Sequence, residues 1–212
     1  MKYKAIIFDL DGVICHTDQY HYLAWKQLAD RLGIYFDETI NNRLRGVSRD
    51  DSLDIILERY NGKPLSEEQK KALTEEKNNT YIKLLNRMTP LDLSKEVKET
   101  LEYLNTTGMK LAIGSSSKNA GLILARLGLD RCFDTISDGN NIKKSKPDPE
   151  VFVNAARNLK LNPSDCLVVE DAVSGVKAAA AAGMDCAVIG DAVNCKLATY
   201  SLGTFSDILS FI

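Results

Sequence analysis

No run of apolar residues in this 212-residue chain approaches the ~20 that a helix needs to cross a bilayer, which excludes a helical membrane protein. Nor is there a surplus of charge of one sign. Lys and Arg number 27 against 29 Asp and Glu, a formal net charge of −2. Without a basic field, neither nucleic acid nor an anionic membrane surface is an expected partner. Cysteine is sparse: Cys15, Cys132, Cys166, Cys186 and Cys195 are an odd number with no CxxC pair. That pattern argues against a disulfide framework and for reduced thiols. Cys166 and Cys186 lie in apolar runs and read as small core residues. No apolar leader precedes the first strand pattern, so the expected location is the cytoplasm. Internal repeats, low-complexity tracts and long linkers are also missing. What remains is ordinary globular composition, 44% hydrophobic and 26% charged. The length suits one good core, or a core with a small second unit.

The most informative stretch that is present is Lys4-Ala5-Ile6-Ile7-Phe8-Asp9-Leu10-Asp11-Gly12. The apolar run 5–8 reads as a buried strand that ends in two carboxylates and a glycine. Buried charges need partners, and acids two residues apart repel unless one is neutralised. A strand ending in an acidic turn is one reading. The other is a site at the carboxyl end of a strand, where open α/β sheets bind ligands, holding a hard divalent cation such as magnesium.

Beyond Gly12 the periodicity becomes helical, over about residues 18–32, 38–44, 49–60, 66–84 and 94–106. Ser48 and Ser66 suit helix N-caps, Ser66 with Glu68 nearby. From residue 109 strands and helices alternate. Strands are expected at 110–114, 133–137, 166–169 and 186–189, with helices at 120–127, 148–160 and 173–182. That alternation implies an α/β fold with a parallel, Rossmann-like sheet. Its core would be residues 1–14 and 89–212, with an inserted all-helical cap domain at 15–88.

Three further motifs fall at strand ends. Ser115-Ser116-Ser117-Lys118-Asn119 offers hydroxyls and N–H groups at a strand-to-helix turn, either a phosphate cradle or a helix cap. Lys146, in Lys144-Ser145-Lys146-Pro147-Asp148-Pro149, is a point charge on stiffened backbone, or a solvated lysine before a helix. Glu170-Asp171 ends the strand Val168-Val169, completing a metal site or complementing a helix dipole.

In this order, and with Phe8-Asp9-Leu10-Asp11-Gly12 first, the motifs resemble the haloacid dehalogenase-like phosphotransferases along the whole chain. The resemblance implies that Asp9 attacks phosphorus and carries an aspartyl-phosphate, and that Asp11 is the general acid and base. Mg2+ would be held by the Asp9 carboxylate, the Asp11 backbone carbonyl and Asp171, with Glu170 alongside. Ser115 and Lys146 would hold the transferring phosphoryl oxygens, with Ser117, Lys118 and Asn119 close by.

The cap stretches Thr17 to Lys26, Arg45 to Leu53 and Lys77-Asn78-Asn79 resemble the sugar phosphomutases of that family. They imply a substrate-binding set of Thr17, His21, Trp25, Gly46, Val47, Ser48, Arg49, Ser52 and Lys77. His21 and Trp25 are four residues apart, on one helical face. The resemblance makes His21 a hydrogen-bond partner near Asp11. Trp25 suits either the apolar face of a sugar ring or plain core packing. Arg49 at a helix start suits a second, non-transferring phosphate. The implied reaction interconverts β-D-glucose 1-phosphate and glucose 6-phosphate through β-glucose 1,6-bisphosphate. A magnesium-dependent sugar-phosphate phosphatase is the alternative. The expected partners are sugar phosphates alone, and the expected state is a monomer. Cys15-His16-Thr17 departs from the family's common Thr-Asp-Thr, with only Thr17 matching.

Overall fold

The computed structural model of the chain describes residues 2–44 and 47–211. It divides into two compact units, residues 1–16 with 88–212, and residues 17–87.

In the larger unit the first strand, β1 (Ala5–Phe8), is flanked on both sides. It pairs in parallel with β2 (Lys110–Gly114) and with β4 (Cys166–Glu170). The full order is β3-β2-β1-β4-β5-β6, all parallel, with β3 at Thr135–Ser137, β5 at Asp185–Val188 and β6 at Tyr200–Ser201. The chain therefore builds outward from β1 in one direction, then returns to β1 and builds outward in the other. The crevice between the carboxyl ends of β1 and β4 is the switch point, where such sheets bind ligands.

A strand covered on both faces must be apolar at every position, and all four residues of β1 are fully buried. Ala5 and Ile7 join a core formed with Val151, Phe152 and Ala155 of α7 (Glu150–Asn158) and Val176 and Ala179 of α8 (Val173–Ala181). Phe8 points to the opposite face, as the strand period of two requires. There its ring stacks on Phe205 at 5.6 Å and meets Phe133 edge-on at 6.2 Å. The remaining helices of this unit are α5 (Lys95–Thr106) and α6 (Ala120–Leu127).

The smaller unit contains α1 (Asp18–Arg31), α2 (Glu38–Asn42), α3 (Arg49–Leu57) and α4 (Glu67–Leu85). Its core gathers Trp25, Leu28, Phe36, Ile40, Leu53, Ile56 and Leu73. Ser48 accepts from the Asp51 N–H at 3.2 Å, and Ser66 caps α4 reciprocally with Gln69 rather than with Glu68. A carboxamide three residues after the serine reaches back to its N–H, whereas one two residues on does not.

Four elements illustrate where the structure differs from the sequence expectation. The strand expected at 133–137 begins only at Thr135, because Phe133 turns into the core and the Asp134 carboxylate accepts from the Leu111 N–H. The helix expected from 148 begins at Glu150, after the second of two prolines. The two-residue β6 and the 3-10 segment Phe205–Phe211 are too short for periodicity to reveal.

All five thiols are free, and burial pushes those of Cys15, Cys166 and Cys186 up, Cys166 to about 11. Among the described residues no helix is long and apolar enough to cross a membrane.

Phe8→Ala removes a ring packed on both sides in a close-packed core. It should destabilise the protein by ~3–5 kcal/mol in urea denaturation. A change below about 1 kcal/mol would mean that the site collapses freely and that Phe8 does not anchor the sheet.

Candidate active site

The three strand-end loops of the larger unit converge on one ammonium. Asp9 follows β1 directly, and its N–H donates to the Val169 carbonyl at 2.9 Å, which extends the β1–β4 ladder by one residue. Lys146 reaches in from the segment between β3 and α7. Its Nζ lies 2.5 Å from Asp9 Oδ1 and 2.5 Å from Glu170 Oε1. The Phe152 ring lies 4.8 Å beneath the ammonium. All three charged groups are buried. Burial alone would lower the Lys146 pKa, but the Asp9 and Glu170 carboxylates more than reverse this and hold it above the ordinary lysine range.

Glu170 is fully engaged. While Oε1 meets Lys146, Oε2 accepts from the N–H groups of Asp171 and Ala172, both at 3.0 Å. Carboxylate oxygens of Asp9, Glu170 and Asp171 lie within 4.8 Å of one another. Asp9 and Glu170 are buried and Asp171 is half-buried, so the crevice gathers carboxylate oxygens out of bulk water. Oxygen donors gathered in this way fit a hard divalent cation.

Two glycines make the convergence possible. Gly12 has φ +90°, and a Cβ there would lie 2.0 Å from Asp171 Oδ2. The turn around it closes through Gly12 N–H to the Cys15 carbonyl at 2.7 Å, with Asp11 beside it. Gly175 sits in the first turn of α8, where a Cβ would lie 1.8 Å from Glu170 Oε1. Gly175 and Phe152 are site-forming residues that sequence reasoning missed. The signal for Gly175 was a lone glycine inside an Ala-rich helical pattern, which is tolerated for space. Phe152 had no signal beyond core periodicity.

Ser115 directly follows β2 and is buried. Its Oγ accepts from the Ser117 N–H at 3.1 Å, and Ser117 Oγ accepts from the Asn119 N–H at 3.2 Å. These hydroxyls brace the turn itself. Asn119 stands at the N-cap position of α6 without a side-chain cap bond, and Lys118 is exposed. Asn140 donates to the Lys118 carbonyl at 2.9 Å, which ties the serine turn to the segment after β3.

The smaller unit gathers its own polar cluster. Lys77 on α4 is buried, and its Nζ lies 2.8 Å from His21 Nδ1, 4.8 Å from the Trp25 ring centroid and 4.7 Å from that of Tyr81. Tyr81 donates to Thr17 Oγ1 at 3.0 Å. Burial, then Lys77 and Arg49, hold the His21 pKa well below the ordinary imidazole range. A neutral ring that accepts from an ammonium through Nδ1 carries its proton on Nε2. Trp25 is part of the hydrophobic core of this unit, the packing half of its two readings. Arg49 is half-buried at the start of α3, Ser48 caps that helix, Ser52 is buried and Val47 is exposed. Gly46 lies outside the described residues.

Helix propensity alone would make Gly175→Ala stabilising by up to ~1 kcal/mol. The Glu170 carboxylate in the way predicts the opposite sign: a lower midpoint in chemical denaturation, as the buried acid is forced off its N–H donors. A raised midpoint would show that Glu170 moves aside without loss.

This constellation sits within a sequence that matches a family model described as haloacid dehalogenase-like hydrolase, over residues 3–183. The chain is 41% identical to a β-phosphoglucomutase of Bacillus subtilis over 88% of its own length and 83% of that protein. It is 33% identical to a phosphorylated carbohydrates phosphatase of Thermotoga maritima, over 86% of this chain and 82% of that one. Among solved structures, a β-phosphoglucomutase from Clostridium difficile superposes with a TM-score of 0.89 at 40% identity, covering 97% of this chain and 93% of that chain. With the strand-end acids, the buried lysine and the switch-point crevice all in one chain that these relatives match over more than four-fifths of its length, the protein belongs to the haloacid dehalogenase-like hydrolase family.

Proposed function

We propose that the protein is a β-phosphoglucomutase, which interconverts β-D-glucose 1-phosphate and glucose 6-phosphate through β-glucose 1,6-bisphosphate. The observation that carries this is the 41% identity to a β-phosphoglucomutase over 88% of the chain, a stretch longer than either unit alone. The larger unit supplies the chemistry this requires. Asp9 Oδ attacks phosphorus and carries the phosphoryl group as an aspartyl-phosphate. When the phosphoryl passes to a sugar hydroxyl, the Asp9–phosphorus bond breaks and the sugar oxygen–phosphorus bond forms. Asp11 takes the hydroxyl proton, and in the reverse step returns it to the leaving sugar oxygen. The Lys146 ammonium, 2.5 Å from Asp9 Oδ1, offsets the charge that would repel a phosphoryl group from a carboxylate. Ser115 holds the phosphoryl oxygens with it, and Ser117, Lys118 and Asn119 line the same turn.

Mg2+ held by Asp9, the Asp11 carbonyl and Asp171 would add positive charge beside the phosphoryl oxygens. Glu170, its oxygens already taken by Lys146 and two N–H groups, serves as the brace for that set.

A bisphosphate also needs a grip on the phosphate that is not being transferred. Arg49 is assigned that role, together with Val47, Ser48 and Ser52 around the start of α3 and with Gly46, which lies outside the described residues. Thr17, His21 and Lys77 are assigned to the sugar side, with His21 presenting Nε2–H as a donor, whereas Trp25, buried in the core of the smaller unit, keeps its packing role. The reading takes the protein to be a cytoplasmic monomer, and five free thiols are in keeping with that location.

Asp9→Asn should abolish turnover of β-glucose 1-phosphate and labelling by radioactive phosphate, while the circular dichroism spectrum is unchanged. Substantial glucose 6-phosphate formation by that variant would overturn the assignment of the nucleophile. Arg49→Ala should reduce mutase turnover by ~10- to 150-fold, the equivalent of losing a charge-assisted contact of roughly 1.5–3 kcal/mol. Hydrolysis of acetyl phosphate, which has no second phosphate, should change little, and Arg49→Lys should restore mutase activity only in part. Equal losses in both reactions would count against the second grip. Release of inorganic phosphate in place of glucose 6-phosphate by the wild type would mark a phosphatase instead.

A further inference from the structure

The segment between β3 and α7 contributes Lys146 but has no strand or helix of its own. A lysine side chain is long and flexible, so its ammonium is placed only as well as the backbone that carries it. In this protein that backbone is held from α7. Glu150, in the first turn of α7, accepts through a single oxygen, Oε2, from the N–H groups of Lys143 at 2.8 Å and Lys144 at 3.0 Å. The Glu150 N–H donates to Asp148 Oδ1 at 3.0 Å, and the Asp148 N–H to the Ser145 carbonyl at 3.1 Å. One turn further along, Asn154 donates to the Asn141 carbonyl at 3.2 Å. On the other side, the Lys146 N–H points at Ser116 Oγ at 3.4 Å. The same helix places the Phe152 ring beneath the ammonium. Thus α7 governs both the backbone that leads into Lys146 and the end of its side chain.

We propose that Glu150 is a positioning residue for Lys146, acting as a hydrogen-bond acceptor that pins residues 143 and 144. The phosphotransfer consequence rests on the role given to Lys146 above; the positioning itself does not. Only one carboxylate oxygen is used, and both donors are neutral backbone groups. Acceptor position therefore matters more than charge. This separates the proposal from the plain alternative, an acid that stabilises α7 through the helix dipole. Glu150→Gln keeps an acceptor at the same reach and removes the charge. Glu150→Asp keeps the charge and withdraws the acceptor by one methylene.

The test uses the full chain labelled with 15N-lysine. The side-chain ammonium signal of Lys146, buried between two carboxylates, is identified by its loss in Lys146→Met. In Glu150→Ala and in Glu150→Asp that signal should shift or broaden, and in Glu150→Gln it should stay. Turnover of acetyl phosphate, which needs no sugar, should fall roughly 10- to 100-fold in kcat for Glu150→Ala, since small displacements of a catalytic group are that costly. KM should change little, and Glu150→Gln should retain most of the activity. Should Glu150→Ala fail to fold, the contrast between Glu150→Asp and Glu150→Gln carries the same test. An unmoved Lys146 signal in both the Ala and Asp variants would overturn the proposal, as would a Gln variant as impaired as Ala. A signal that responds as expected, in a wild type with no acetyl phosphate turnover, would support the positioning and reject the phosphotransfer reading.

Discussion

The buried ammonium of Lys146, held between Asp9 and Glu170, is the interaction on which the rest of the larger unit depends. Charges out of water are expensive, and removing one partner of a buried pair typically costs ~3–5 kcal/mol because the other is left uncompensated. The three groups are 137 and 24 residues apart along the chain, so no local structure can hold them together. The sheet does this work. Placing β1 beside β4, in a register where Phe8 meets Val169, brings Asp9 level with Glu170. The segment that leads into the covering helix α7 then supplies the lysine, and α7 itself the ring beneath it.

Such a centre tolerates little additional volume. The side chains of Asp171 and Glu170 occupy the space where Gly12 and Gly175 would otherwise carry a Cβ. Gly114 is confined in the same way, its missing Cβ replaced by the Phe152 ring at 2.7 Å. These glycines make room for carboxylates and an aromatic ring rather than supplying flexibility, and only Gly12 of the three has a positive φ. The carboxylate oxygens of Asp9, Glu170 and Asp171, gathered within 4.8 Å of one another, form a donor set that fits a hard divalent cation.

The smaller unit solves a different problem with the same chemistry. Lys77 is buried against two aromatic rings and a neutral imidazole, an arrangement that stabilises an ammonium by ring quadrupoles and one strong acceptor. It also fixes the histidine tautomer, so that His21 offers a permanent donor rather than a titrating group in the neutral range. Relatives with this architecture include both a mutase and a sugar phosphatase, so the shared core chemistry does not by itself choose between them.

The sequence by itself determined the parallel α/β class and the positions of the strand-end acids. It did so because buried strands must be continuous apolar runs, and Asp9, Asp11, Glu170 and Asp171 stand where those runs stop. It also determined the helical run after β1, since Ser48 and Ser66 announce helix starts through local bonding alone. Only the tertiary structure decided that Lys146 reaches both Asp9 and Glu170. Only there does Gly175 make room for a carboxylate, Trp25 pack into the core, and Lys77 pair with His21. Each of those is a contact between residues far apart in the chain, set by strand register and helix packing. Short segments such as β6 were likewise beyond periodicity, because two residues hold no pattern until a neighbouring strand supplies one.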